Sequence, residues 1–232
     1  TPLLYSSAAS DVYKRQEYKK STDYNLDRLK FQIIVSFVSI FILLLLTIGG
    51  LLNTLTSIVS SYTSSNILGA IFLGLLIILI SEILEIPLAI YSTFVIEEKY
   101  GFNKTTKKTF VTDIVKNLII SSVISCLIYA VVIGIIENLG NNWWVYAFGA
   151  VFFIQLIIFF LYPVLIMPLF NKFEPLDDEE YKKPVEKLLE KINFKAKGLF
   201  VMNASLRSSH GNAFITGFGK NKRIVFYDTL LE

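Results

Sequence analysis

Two acids and a lone histidine are the first residues to weigh for chemistry. Glu82 and Glu85 lie inside an apolar stretch, three apart and therefore on one face of a helix. A carboxylate at membrane depth costs on the order of 2.5–3.5 kcal/mol unless it is neutralised, paired or hydrated. The pair reads as the wall of a polar cavity or as a proton site. It reads equally as the mark of a shorter span, or of a pairing with a base elsewhere. His210 is the only histidine, within Arg207-Ser208-Ser209-His210-Gly211-Asn212-Ala213-Phe214-Ile215-Thr216-Gly217-Phe218-Gly219. One His and one Cys (Cys126) do not supply the ligand grouping of a zinc site. Ser208, Ser209, His210 and Asp228 could be written as a nucleophilic set, but nearness in sequence does not give the geometry. A loop leading into a strand is the simpler reading. A third stretch, Phe94-Val95-Ile96-Glu97-Glu98-Lys99-Tyr100-Gly101-Phe102-Asn103-Lys104-Thr105-Thr106, ends an apolar run in acids, an aromatic-Gly-aromatic turn and bases. Alone it reads as a structural elbow whose lysines face lipid headgroups.

The elements that must position these residues are apolar runs. Of 232 residues 53% are hydrophobic and 18% charged, which excludes disorder, and a single Cys excludes a disulfide scaffold. A net charge of +3, scattered along the chain, does not argue for nucleic acid. Four runs are long enough to cross a bilayer: about 31–52, 66–96, 118–136 and 143–170, the last opening on Trp143-Trp144 and closing on Pro163 and Pro168. Lys19, Lys20, Arg28 and Lys30 precede the first run, and residues 53–65 carry no charge. Lys99, Lys104, Lys107, Lys108 and Lys116 lie between the second and third, residues 137–142 hold no base, and lysines follow Phe170. The alternation places both termini in the cytoplasm.

The expected fold is thus an all-α multi-pass membrane protein of four helices, residues 17–170, followed by a small cytoplasmic α/β segment, 171–232. In that segment Pro175-Leu176-Asp177-Asp178-Glu179-Glu180 starts a helix carrying Val185, Leu188, Leu189 and Ile192 at helical spacing, with Gly198 at its end. Strands are expected at 199–202, 213–218 and 223–227, with Gly217, Gly219 and Asn221 in the last turn. Residues 1–16 lack periodicity and the features of a signal peptide, and read as an artefactual or disordered leader. Residues 228–232 stop within the start of a helix.

Four blocks carry a resemblance: YNLDRLKF (24–31), FVIEEKYGFNKTT (94–106), PVLIMPLFNKFEPL (163–176) and MNASLRSSHGNAFITGFGKNKRIVFYDTLLE (202–232). They resemble the integral-membrane CaaX prenyl proteases of the Ste24 type, zinc metallopeptidases of the M48 class. The resemblance implies that the four spans are the family's second to fifth and that its first membrane helix belongs ahead of Glu17. It also implies that the His-Glu-x-x-His zinc helix, with its two His ligands and general-base Glu, lies beyond Glu232. No catalytic residue and no metal ligand then falls in this chain, and zinc belongs to the full-length parent. Asn212-Ala213-Phe214 resembles the Asn-Ala-aromatic edge strand on which thermolysin-like enzymes hold substrate. That role is carried to Asn212, Ala213, Phe214 and Ile215, with His210 as a weaker neighbour. Glu82 and Glu85 become hydrated acids on the wall of the family's intramembrane chamber.

The implied function is a fragment of an endopeptidase that cleaves prenylated CaaX-type or other membrane-associated peptides, with peptide and bilayer as partners and no nucleic acid. The implied location is a bacterial plasma membrane or, in a eukaryote, the endoplasmic reticulum. A non-catalytic membrane module or transporter fragment is the alternative, because intramembrane acids and alternating loops suit it equally.

Overall fold

The computed structural model describes the backbone of residues 2–217 and 219–231, and side chains within 18–217, 219 and 221–231. Four helical runs, Tyr18–Thr47, Asn66–Glu97, Lys107–Asn138 and Gly140–Phe170, have the length and apolar content to cross a bilayer. Their large side chains are widely exposed, among them Phe37, Val123, Phe148 and Phe153. Lipid as solvent accounts for such a surface, because burial in protein is not needed to keep these groups from water.

The chain divides into two compact units, Thr1–Ile58 with Ile80–Asn103, and Val59–Leu79 with Lys104–Glu232. In the first, α1 (Pro2–Thr47) takes in the stretch set apart above as a leader. It ends at Gly49-Gly50, where Gly50 has φ +74°. The expected connection 53–65 instead contains a short helix, α2 (Leu51–Tyr62), whose apolar residues recur on one side. Its lack of charge marked it as a linker, but Leu51, Leu52, Leu55, Ile58 and Val59 keep helical spacing. The second span is α3 (Asn66–Tyr91), of which the residues from Ile80 onward belong to this unit; it is prolonged by a π-helical turn, Ser92–Glu97.

In the second unit α4 (Lys107–Asn138) starts eleven residues before the expected span. Thr106 caps it by accepting a bond from the Thr109 N–H at 3.1 Å. Against α4 packs α5 (Trp143–Leu161), which continues through a π-helical turn (Tyr162–Ile166) into α6 (Met167–Phe170). A four-stranded sheet follows, in the order β1-β2-β4-β3: β1 (Phe173–Pro175), β2 (Gly198–Met202), β3 (Ala213–Thr216) and β4 (Arg223–Tyr227). The β2–β4 pair is parallel and the others antiparallel.

β1 was not expected, since Pro175 reads as opening a helix; as part of an edge strand the proline is tolerated. α7 (Glu179–Lys191) begins at the Asp178 cap rather than at Pro175 and ends before Asn193, which takes φ +51°. Gly198 therefore opens β2 rather than closing α7. The strand expected at 213–218 ends at Thr216 among the described residues, and Phe218 lies outside them.

Alternation along β2 and β4 divides the core in two. Leu199, Val201, Ile224 and Phe226 face a cluster with Val185 and Leu189 of α7 and with Leu176, which follows β1. Met202 and Val225 face another with Ala204, Phe214 and Met167, so the sheet rests on the end of the helical run at α6. α8 (Asp228–Leu231) is a single turn after β4.

Candidate substrate-binding site

β3 ends the sheet, and among the described residues it pairs with β4 alone. The Tyr227 N–H donates to the Asn212 carbonyl at 2.9 Å, which fixes the phase of the antiparallel ladder. With the register Ala213↔Phe226 to Thr216↔Arg223, Phe214 and Thr216 direct their peptide groups at β4. Ala213 and Ile215 direct theirs to the open edge. Consistently, the Ala213 N–H bonds not to β4 but to the Asn212 side-chain oxygen, at 2.8 Å. Asn212 thus shields the first donor of the edge, a placement that spacing did not foretell. Ala213 is exposed and Ile215 is 58% exposed, whereas Phe214 packs into the core and meets Tyr227 edge-on at 6.1 Å.

Where β3 ends, a groove of about 580 Å³ runs between Ile215, Thr216 and Gly217 and the helical residues Gln155, Ile158, Phe159, Tyr162 and Pro163. Gly217 is required there: it has φ +87°, and a Cβ would meet the Asn221 carbonyl oxygen at 2.4 Å. The approach to β3 is held by its backbone. The His210 N–H donates to Ser208 Oγ at 3.2 Å, and Thr229 Oγ1 donates to the His210 carbonyl at 2.8 Å. The Asp228 carboxylate accepts from the Ser205 N–H, the Ser205 hydroxyl and the Thr229 N–H. It caps a turn; its bonds to Ser205 and Thr229 are not those of a Ser-His-Asp relay.

Arg207, so far only part of a loop, gathers many of the polar contacts described in this unit. Its guanidinium donates to both oxygens of Asp113 (2.7 and 2.9 Å), to Asn171 Oδ1 (2.9 Å) and to the Phe170 carbonyl (2.8 Å). Its own carbonyl accepts from the Lys104 N–H and Thr105 Oγ1, each at 3.0 Å. Lys116 Nζ donates to the Leu169 carbonyl at 2.7 Å, so cations cap two carbonyls at the end of the helical run. The available signal was Asp113, an acid among five lysines, but its partner lies 94 residues away.

In the other unit, two of the resembling blocks meet. Tyr24 Oη donates to Glu97 at 2.6 Å, while Lys99 Nζ and Tyr100 Oη both donate to Asp27 Oδ2, at 2.6 and 2.7 Å. Tyr24 also meets Tyr100 and Phe102 edge-on. Lys99 is held above the ordinary lysine value by its bond to Asp27 and then by that to Tyr100. Tyr100 is raised by its bond to Asp27 and by burial. Lys99, one of the lysines of the 94–106 stretch, is thus engaged with a protein carboxylate while its side chain stays 61% exposed. Glu82 is half-buried and Glu85 exposed on α3, within the same unit as Asp27.

Among the described residues no group of three or more His, Cys, Asp or Glu side chains is placed to hold a metal. These residues do not fit a zinc site.

The comparisons cover both parts of the chain. A family model described as CAAX prenyl protease N-terminal, five membrane helices, matches residues 5–172, and the model for peptidase family M48 matches residues 175–232. The chain belongs to the CAAX prenyl protease family. It is 36% identical over 228 residues to the CAAX prenyl protease 1 homolog of Arabidopsis thaliana, covering 95% of this chain and 54% of that one. It is 41% identical over 162 residues to CAAX prenyl protease 1 of Saccharomyces cerevisiae, covering 69% and 36%. The crystal structure of S. mikatae Ste24p is similar to it with a TM-score of 0.81 and 33% identity, over 90% of this chain and 50% of that one. The chain spans about half the length of the curated relatives it matches, or less. Membership makes it an integral membrane protein, and the four candidate spans and small sheet among the described residues match the architecture expected from sequence. The matches describe a protease, not a transporter.

Proposed function

We propose that this chain supplies the membrane helices and the substrate-holding edge of a zinc endopeptidase acting on prenylated CaaX-type or other membrane-associated peptides. The observation that carries the reading is the open edge of β3. Ala213 and Ile215 present backbone donors and acceptors outward, and an apolar groove adjoins the strand's end. An extended peptide adds to such an edge through main-chain bonds, and alternate side chains find pockets. Asn212 then has two tasks, to cover the Ala213 N–H when the edge is empty and to bond the substrate main chain when it is filled. Phe214 holds the strand down, and His210 fixes its approach through backbone bonds.

The family's zinc supplies a polarised carbonyl and an activated water when it is bound. No residue of this chain is assigned to hold it, and the 232 residues alone are expected to bind peptide without cleaving it. The sheet lies on the cytoplasmic side by the alternation of basic flanks, and Glu82 and Glu85 face a hydrated chamber.

Proline at Ile215 removes an outward N–H while leaving the β4 ladder intact, a position where an edge strand accepts it. In lipid nanodiscs, Ile215→Pro is expected to weaken peptide binding on the order of tenfold, the worth of roughly one or two hydrogen bonds. Asn212→Ala is expected to weaken it several-fold, with the thermal midpoint of either variant near that of the parent chain. Undiminished binding by Ile215→Pro would remove the edge-strand reading. With zinc and a fluorogenic prenyl-peptide, cleavage above a chelator control would overturn the assignment of the metal to residues outside the chain.

A further inference from the structure

We infer that Arg207 is a positioning residue that sets the substrate edge in register with the membrane helices, so that a peptide anchored in the bilayer can reach β3. The inference rests on the reading of β3 as the substrate edge.

Arg207 stands six residues before Ala213. Through one guanidinium it is tied to Asp113 of α4 and to Phe170 and Asn171 at the end of the α5–α6 run. Through its carbonyl it is tied to Lys104 and Thr105, just ahead of the Thr106 cap. Apolar packing already holds the sheet to α6 through Met167, but such packing has no direction and fixes neither height nor angle. A bidentate Arg–carboxylate pair with two further bonds does fix both. The pair is sheltered, with its two side chains 25% and 23% exposed.

Geometry of this kind matters unequally to two ligands. A free peptide can approach the edge from any height. A peptide whose lipid lies in the bilayer gains from its tether only where the strand stands within reach, and it loses that gain if the geometry is wrong. Arg207 therefore affects the tethered ligand more than the free one, a split that general weakening of the sheet would not produce.

The test uses the whole chain in lipid nanodiscs and one peptide made with and without a farnesyl group, with binding followed by fluorescence anisotropy. Arg207→Ala is expected to weaken binding of the farnesylated peptide on the order of tenfold, and of the unmodified peptide less than about twofold. Asp113→Asn reproduces the split. Arg207→Lys gives a smaller one, because an ammonium keeps the charge but not the fork. Should Arg207→Ala fail to fold, Arg207→Lys and Asp113→Asn decide the matter. Equal losses on both peptides, or no loss on either, overturn the positioning role. If the parent chain binds neither peptide, or if Ile215→Pro leaves both unaffected, the edge-strand reading falls and takes this inference with it. A parent chain that binds both peptides with sensitivity to Ile215→Pro but no split at Arg207 leaves the edge strand standing and removes Arg207 alone.

Discussion

Asp27 and Arg207 each gather the polar groups of one unit, and they are built in opposite ways. Around Asp27 the rings come first. Tyr24, Ile96 and Tyr100 are buried together, with Phe31 and Phe102 against them. The ionic bonds decorate that cluster, and Lys99 is 61% exposed. Around Arg207 the hydrogen bonds come first: four lead from the guanidinium and two to the carbonyl. An aromatic cluster tolerates the loss of a charge but not of a ring. A guanidinium hub tolerates small changes in neighbouring apolar volume but not the loss of its fork.

The largest effect expected from this contrast is at Tyr24. Tyr24→Ala removes a buried ring that meets both Tyr100 and Phe102, and is expected to cost about 3–5 kcal/mol, the range for aromatic truncation in a core. Arg207→Ala follows at about 2 kcal/mol. Breaking a buried pair costs more than that, but this pair retains some access to solvent. Denaturant titration in detergent, read by tryptophan fluorescence, ranks the two. The reverse ranking would show that hydrogen bonds rather than rings carry the first cluster too.

A sharper comparison uses the conservative changes. Tyr24→Phe keeps the ring and loses the bond to Glu97 and the longer one accepted from Arg28 (3.3 Å), with an expected cost of about 1 kcal/mol. Arg207→Lys keeps the charge and loses the bidentate geometry, so it should recover less of its parent's stability than Tyr24→Phe does. Equal recovery would mean that the Arg207 fork is no more than a charge.

The two hubs also differ in how far sequence could reach them. The apolar spans were legible because lipid demands about twenty uninterrupted apolar residues, a constraint local to each segment. The β2 and β4 strands were legible from their β-branched and aromatic runs. α2 and β1 were not. An uncharged linker and a short helix share one composition, and Pro175, which suits a helix start, instead closes an edge strand that tolerates it. At the candidate site, Asn212, Ala213, Phe214 and Ile215 could be picked out by their resemblance to a substrate-holding strand. Which of their peptide groups face outward depends on pairing phase, set by the Tyr227–Asn212 bond. Asp113 and Asp27 were each visible as acids amid bases. Their partners stand 94 and 72 residues away, and only the folded chain shows which cation comes to each.

The smallest effect expected is a difference in alkaline sensitivity, and it tests the contrast without a substitution. Lys99 and Tyr100 are both raised on folding, the first by its bond to Asp27 and the second by the same carboxylate and by burial. A group raised on folding contributes stability that is fully present below its unfolded value, near pH 10 for both types. That contribution is lost as pH rises through the folded value, when Lys99 sheds its charge and Tyr100 its proton. The Asp27 cluster should therefore loosen above about pH 10. The side-chain bonds of Arg207 run to carboxylate, amide and backbone oxygens and involve no lysine ammonium or phenol, so that hub should not follow. Because Lys99 is exposed and salt screens it, the loss should be modest and largest at low ionic strength. Alkaline titration at two salt concentrations, with a fluorine label near Tyr100 and another near Arg207, separates the two responses. Parallel loosening of both labels would mean that the hubs share one mode of construction, and the distinction between a ring-built and a fork-built cluster would fail.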